Sequence, residues 1–232
     1  MFLLVGSIVP ARLAYANDCV TVTEQAYWIR SSDSSAFGTQ NTIPVKDRAL
    51  ALDCMVEAEN HHTANIRDTA STTQAEAGYV EMYASAGSGH VCRFFWEVGV
   101  GSATVGDFSD GPQVSCTLGS TGFRVVNVDG TNKWKFYYNT GSGYTQFGPS
   151  GGQDAGFHRG YPRGESGRRG DPGTSAADDQ SGLKWKAVRS CTGNCWTSSW
   201  STNALDNGCI HDWVYSRVSA TEFKIVSGTH SC

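Results

Sequence analysis

The chain has 232 residues, 39% of them hydrophobic and 17% charged, which suits one sizeable domain with a real core. Its formal net charge is −4 with an isoelectric point near 5.8, and no basic stripe runs along it, which argues against nucleic acid as a partner. No segment is apolar over the length a membrane-spanning helix needs, so no membrane partner is expected.

In chain order, Phe2 to Val9 is apolar and Ala14-Tyr15-Ala16 forms an A-x-A cleavage pattern before Asn17. Residues 1–16 are therefore expected to be a signal peptide remnant, and the protein to be secreted. Residues 17–232 are expected to form a single domain. Its core spans about 61–190, and a cysteine-rich extension follows over 191–232. Val45 to Leu52 fits a short helix or a strand equally well. From His61 onward the pattern is β. Tyr79 to Tyr83 predicts one strand. In Cys92 to Val100, Phe94, Trp96, Val98 and Val100 share one face, with Arg93, Phe95, Glu97 and Gly99 on the other. Glu97 thus reads as solvent-facing. Gly122 to Val128, the Asp129-Gly130 turn and Lys133 to Tyr138 predict a hairpin. Gly148 to Gly160 reads as loop, Gly164 to Arg169 as a strand, Gly170 to Ser181 as polar loop and Leu183 to Val188 as a strand.

The fold class predicted is all-β, an antiparallel sandwich of the jelly-roll or concanavalin-like kind, stapled by disulfides. The chain has 27 Gly, 7 Trp, 9 Tyr and 10 Phe, a supply that suits many short strands and turns. Eight cysteines are scattered widely: Cys19, Cys54, Cys92, Cys116, Cys191, Cys195, Cys209 and Cys232. An even count of this kind predicts disulfides and an oxidising compartment. The simplest pairings are Cys19–Cys54 and Cys92–Cys116, with two more among the last four. No second close pair or matched histidine pair completes a zinc site, and no metal or cofactor is expected.

Two carboxylates stand out. Alternation puts Gln74, Glu76, Gly78 and Val80 on one side of their strand. A glycine two residues from a carboxylate, on its own face, predicts open space above the sheet for a substrate backbone. Glu165 lies in Arg163-Gly164-Glu165-Ser166-Gly167, again among glycines and arginines. Two carboxylates across one groove divide labour: one donates a proton, the other activates water.

From Asn65 to about Val188 the chain resembles the neprosin-type glutamic peptidase domain. Its first catalytic segment appears as Glu76-Ala77-Gly78-Tyr79, with Phe94-Phe95-Trp96 downstream. Asp129-Gly130, Asn132 to Phe136 and Gly141-Ser142-Gly143-Tyr144 follow in the family's order. Gly164-Glu165 supplies the second glutamate. Tyr79 stands where the family has Trp, and Arg163 where it has the first Gly. The resemblance implies water attack on a peptide carbonyl in acid, with Glu76 and Glu165 as the catalytic pair and a protein or peptide as substrate. It also frames three substrate-binding candidates. Gln74 would help hold the oxyanion, and Tyr138 and Tyr144 would line subsites.

Other chemistry is weaker. His61, His62, His90, His158, His211 and His230 are scattered and read as surface residues, a place beside the site being the less favoured alternative for His62 and His158. No G-x-S-x-G elbow occurs. The competing reading is a non-catalytic glycan- or surface-binding sandwich. Its motive is the aromatic supply of Trp134, Tyr137, Tyr144, Trp196, Trp200 and Trp213. A two-carboxylate glycoside hydrolase is less favoured, as its strand motif is absent. The peptidase reading requires Glu76 and Glu165 to face one groove on the same sheet.

Overall fold

A computed structural model describes residues 22–31, 33–46, 58–69, 73–83, 91–100, 103–106, 111–170, 183–192, 195–197, 202–207, 213–219 and 221–227. Every regular element among them is a β-strand, and every strand pairing is antiparallel. The strands form two sheets.

The first sheet has eight strands. Its path runs β15 (Thr202–Asn207), β1 (Val22–Ser31), β12 (Tyr161–Gly170), β3 (Ala58–Arg67), β4 (Gln74–Tyr83), β5 (Val91–Val100) and β6 (Ala103–Val105), with β7 (Gln113–Val114) also on β5. The second has nine. Its path runs β10 (Thr145–Phe147), β9 (Lys133–Asn139), β8 (Gly119–Asn127), β2 (Gly38–Val45), β13 (Leu183–Thr192), β17 (Phe223–Ser227) and β16 (Trp213–Arg217). There, β11 (Gln153–Asp154) pairs with β9 and β14 (Cys195–Thr197) with β13.

The two sheets share one aromatic core. Ala64, Ala75, Ala77, Tyr79, Phe94, Trp96 and Val98 face inward from the first sheet, and Ile43, Val45, Phe123, Val125, Trp134 and Phe136 from the second. Phe94 meets Phe123 edge-on at 5.2 Å, and Trp96 stacks on Phe136 at 5.1 Å. Offset and edge contacts of this kind add to the burial energy of large rings. Trp134 is fully buried and donates its indole N–H to the Phe157 carbonyl at 2.8 Å. It is therefore a core residue and not a platform for a sugar.

The β8–β9 hairpin follows the turn chemistry. Asp129 and Gly130 adopt φ of 50° and 75°, the doubly positive turn whose twist suits antiparallel strands. The Asn127 side chain accepts from the Gly130 N–H at 2.8 Å and fastens the turn. Cys92 and Cys116 form a disulfide with a sequence separation of 24, tying β5 to the segment after β7. Cys19, Cys54, Cys209 and Cys232 lie outside the described residues.

The strand that alternation expects through Gln74 to Tyr83 is β4. One element differs from the sequence reading. The segment after Cys191 contributes strands to both sheets, β15 beside β1 and β16–β17 beside β13. These strands are part of the sandwich itself.

Candidate active site

The outward face of the first sheet carries the two glutamates. The central strand β3 separates β4 from β12, and the register sets the neighbours. Glu97, Glu76, Asn65 and Arg163 form one row across β5, β4, β3 and β12. Phe95, Gly78, Thr63 and Glu165 form the next. Since side chains alternate along each strand, both rows project from the same face.

Asn65 joins the pair. Its Nδ2 donates to Glu76 Oε2 at 3.2 Å and to Glu165 Oε2 at 2.8 Å. Gln74 Nε2 donates to Glu76 Oε1 at 3.5 Å. His61 Nε2 stands 3.9 Å from Glu165 Oε1, and its ring meets Phe95 edge-on at 6.3 Å. Glu76 is 4% exposed and Glu165 6%, so neither is the solvated surface carboxylate that glutamate usually is.

Burial determines the electrostatics. Desolvation holds the Glu76 proton well above the usual carboxylate range. The charges of Glu165 and Glu97 push the same way, and His61 and the Thr63 hydroxyl pull weakly against them. Glu76 is therefore the member of the pair disposed to hold a proton.

Several expectations are corrected here. Glu97 does not simply face solvent: it is half-buried, stands directly opposite Glu76 and acts on it electrostatically. His61 and His62 are both buried. His61 lies in the site, while His62 takes the inward face and packs on Tyr79 at 5.1 Å. His158 is exposed and its ring lies 6.3 Å from that of Phe37. The space at Gly78 is closed. A Cβ there would lie 2.0 Å from the His62 carbonyl oxygen and 2.8 Å from Thr63 Cγ2. The glycine serves the approach of β3 to β4, not a substrate.

Gln74 joins the pair, but Tyr138 and Tyr144 do not. Tyr138 sits on the second sheet and packs inward against Phe94 at 4.9 Å and Phe147 at 5.5 Å. Tyr144 lies under the Arg124 guanidinium, 3.7 Å from its ring centre. Arg124 also bonds Gln40 through Nε and Nη2. Asn65, His61 and Glu97 are the site residues that the sequence reading did not single out. A cavity of about 410 Å³ opens elsewhere, between Phe37, Val126, Asn127, Asp129, Gly130, Cys191 and Trp196. Asp129 is its only carboxylate among these residues, so it offers no acid/base pair.

No protein-family model matches the chain, and no curated protein is similar to it in sequence. Solved structures are similar in shape. One is a scytalido-glutamic peptidase with a transition state analog inhibitor, at 11% identity and a TM-score of 0.53, covering 90% of this chain and 100% of that one. Another is SCP-B, a member of the eqolisin family of peptidases, in a complex with the tripeptide Ala-Ile-His. It shows 12% identity and a TM-score of 0.49 over 90% of this chain and 100% of that one. The likeness to the first establishes the architecture: this chain has a glutamic-peptidase-like antiparallel β-sandwich fold.

Proposed function

We propose that the chain is a secreted glutamic endopeptidase that works in acid through Glu76 and Glu165. One observation carries this reading: two buried glutamates on one sheet face share a single amide donor, Asn65. The same two glutamates lie in the segments that resemble neprosin-type peptidases, and the fold is of the glutamic peptidase kind. The Cys92–Cys116 disulfide suits an oxidising compartment.

In the reaction, Glu165 is the ionised member and takes a proton from water as its oxygen bonds to the peptide carbonyl carbon. Glu76 holds the proton and gives it to the amine as the carbon–nitrogen bond breaks. The amide of Gln74, which donates to Glu76, would donate to the oxyanion. The test is digestion of a denatured protein at about pH 4, where ordinary carboxylates are half-ionised. Wild type is expected to cleave it, and the Glu76→Gln and Glu165→Gln variants to leave it intact. Equal cleavage by all three would reject the assignment.

The raised Glu76 proton affinity also predicts a pH effect on stability. The folded state binds this proton more tightly than the unfolded chain does. Its contribution is therefore most favourable in acid. It declines as pH rises from the ordinary carboxylate range through the raised value, at about 1.4 kcal/mol per unit of displacement. Wild type is expected to melt at a lower temperature at neutral pH than in mild acid. Glu76→Gln should flatten this dependence, with a Tm at neutral pH roughly 2–4 °C above wild type per kcal/mol recovered. Thermal melts across the range check it, and parallel curves for both proteins would contradict it.

A further inference from the structure

Asn65 is fully buried in the middle of its row, between Glu76 and Arg163. Its amide nitrogen makes two hydrogen bonds, and both go to the glutamates. Its Oδ1 is buried with no hydrogen-bond partner among the described residues. Among the described residues the amide is therefore held through its donors. Turned over, it would set Oδ1 against two acceptor oxygens, which is tolerable only if both glutamates are protonated. The amide thus recognises a pair that carries charge.

We propose that Asn65 is the positioning residue that makes the two glutamates one unit with a single proton. It rests on the peptidase reading for its effect on turnover, but not for its effect on the carboxylates. One donor group bridging two carboxyl acceptors does two things. It fixes the separation of the carboxylates across β3, and it stabilises the ionised member through charge-assisted hydrogen bonds. Among the described residues, the other charged or titratable groups on this face are Glu97 and Arg93 from β5, His61 and Arg67 from β3, and Arg163 and Tyr161 from β12 itself. On β1, Arg30 stands opposite Arg163 in register. Asn65 joins both carboxylates directly, through one amide nitrogen.

The test replaces Asn65 with leucine, which keeps the approximate volume and removes both donors, and with aspartate, which keeps the shape. In both variants the acid limb of the pH–rate profile is expected to move upward by about one pH unit, because the ionised carboxylate has lost a charge-assisted bond. The value of kcat should fall roughly ten- to a hundredfold while KM stays within about twofold. A role confined to packing would lower Tm or kcat and leave the limb in place, and that result would overturn the proposal.

A second readout is independent of turnover. In protein labelled with ¹³C at the glutamate carboxyls, Glu76 and Glu165 are assigned from their glutamine variants. They are expected to titrate in two separated steps, the lower of which moves up in Asn65→Leu. That movement in a protein without acid peptidase activity would refute the proposed function and uphold the role of Asn65. An active enzyme whose Asn65→Leu variant keeps both titration steps and the acid limb would do the reverse.

Discussion

Glu165→Gln is expected to lower kcat/KM for peptide hydrolysis in acid by roughly 10²–10⁴, the usual contribution of a positioned proton-transfer group. The amide has the shape of the carboxylate it replaces, so the fold should survive. Glutamine can still meet Asn65, since its own carbonyl oxygen accepts the bond now made at 2.8 Å. What it cannot do is accept a proton from water. Glu76→Gln should cost a similar factor, because a glutamine has no proton to give the leaving amine. The double variant should be little worse than the poorer single one, as groups that act together lose their effect together. Steady-state kinetics on a peptide substrate, with thermal melts as the control for folding, make the comparison. Retention of most of the activity by Glu165→Gln would remove it from the mechanism.

The second large effect concerns Gly78. A methyl group there meets backbone, with the His62 carbonyl oxygen 2.0 Å away, and backbone in a paired strand yields only if the strands separate. Gly78→Ala is expected to cost about 3 kcal/mol or more. It should also reduce activity, because Thr63 and Gly78 pair one step along from Asn65 and Glu76. Parting β3 from β4 lengthens the 3.2 Å bond between Asn65 and Glu76. Gly99, on the same face, is the control. Its nearest neighbour would be Gln74 Cγ at 3.6 Å, an ordinary contact. Gly99→Ala should stay within about 0.5 kcal/mol of wild type. Equal denaturation midpoints for the two variants would show that the approach of β3 is not the constraint.

Much of the fold is legible in alternation. Phe94, Trp96 and Val98 occupy the core as their spacing requires, and Asp129-Gly130 turns the hairpin as its chemistry requires. Alternation also places Gln74 and Glu76 on one face of β4. It says nothing about which strand lies beside β4, and that is where the site was hidden. Strand β3 carries His61, Thr63 and Asn65 outward and His62, Ala64 and Ile66 inward. With polar residues on both faces it has no clean period of two, so Asn65 attracts no notice. Its bond to Glu165 spans 100 residues of sequence, beyond the reach of any local pattern. Glu97 departs from its expected place for a related reason. The face opposite a hydrophobic stripe normally meets water, but here that face is partly buried and holds the carboxylates.

A hydrogen bond crosses between the sheets directly beneath this site. Asn41, fully buried on β2, donates its side-chain N–H to the Thr63 carbonyl on β3 at 3.0 Å. Thr63 is the residue paired with both Gly78 and Glu165. The floor under the carboxylates is thus pinned to the opposite layer by an amide and a carbonyl, neither of which gains or loses a proton in acid. A carboxylate-based tie at the same place would fail as its group was neutralised. An anchor indifferent to acidity lets the machinery above it change protonation while its foundation stays put.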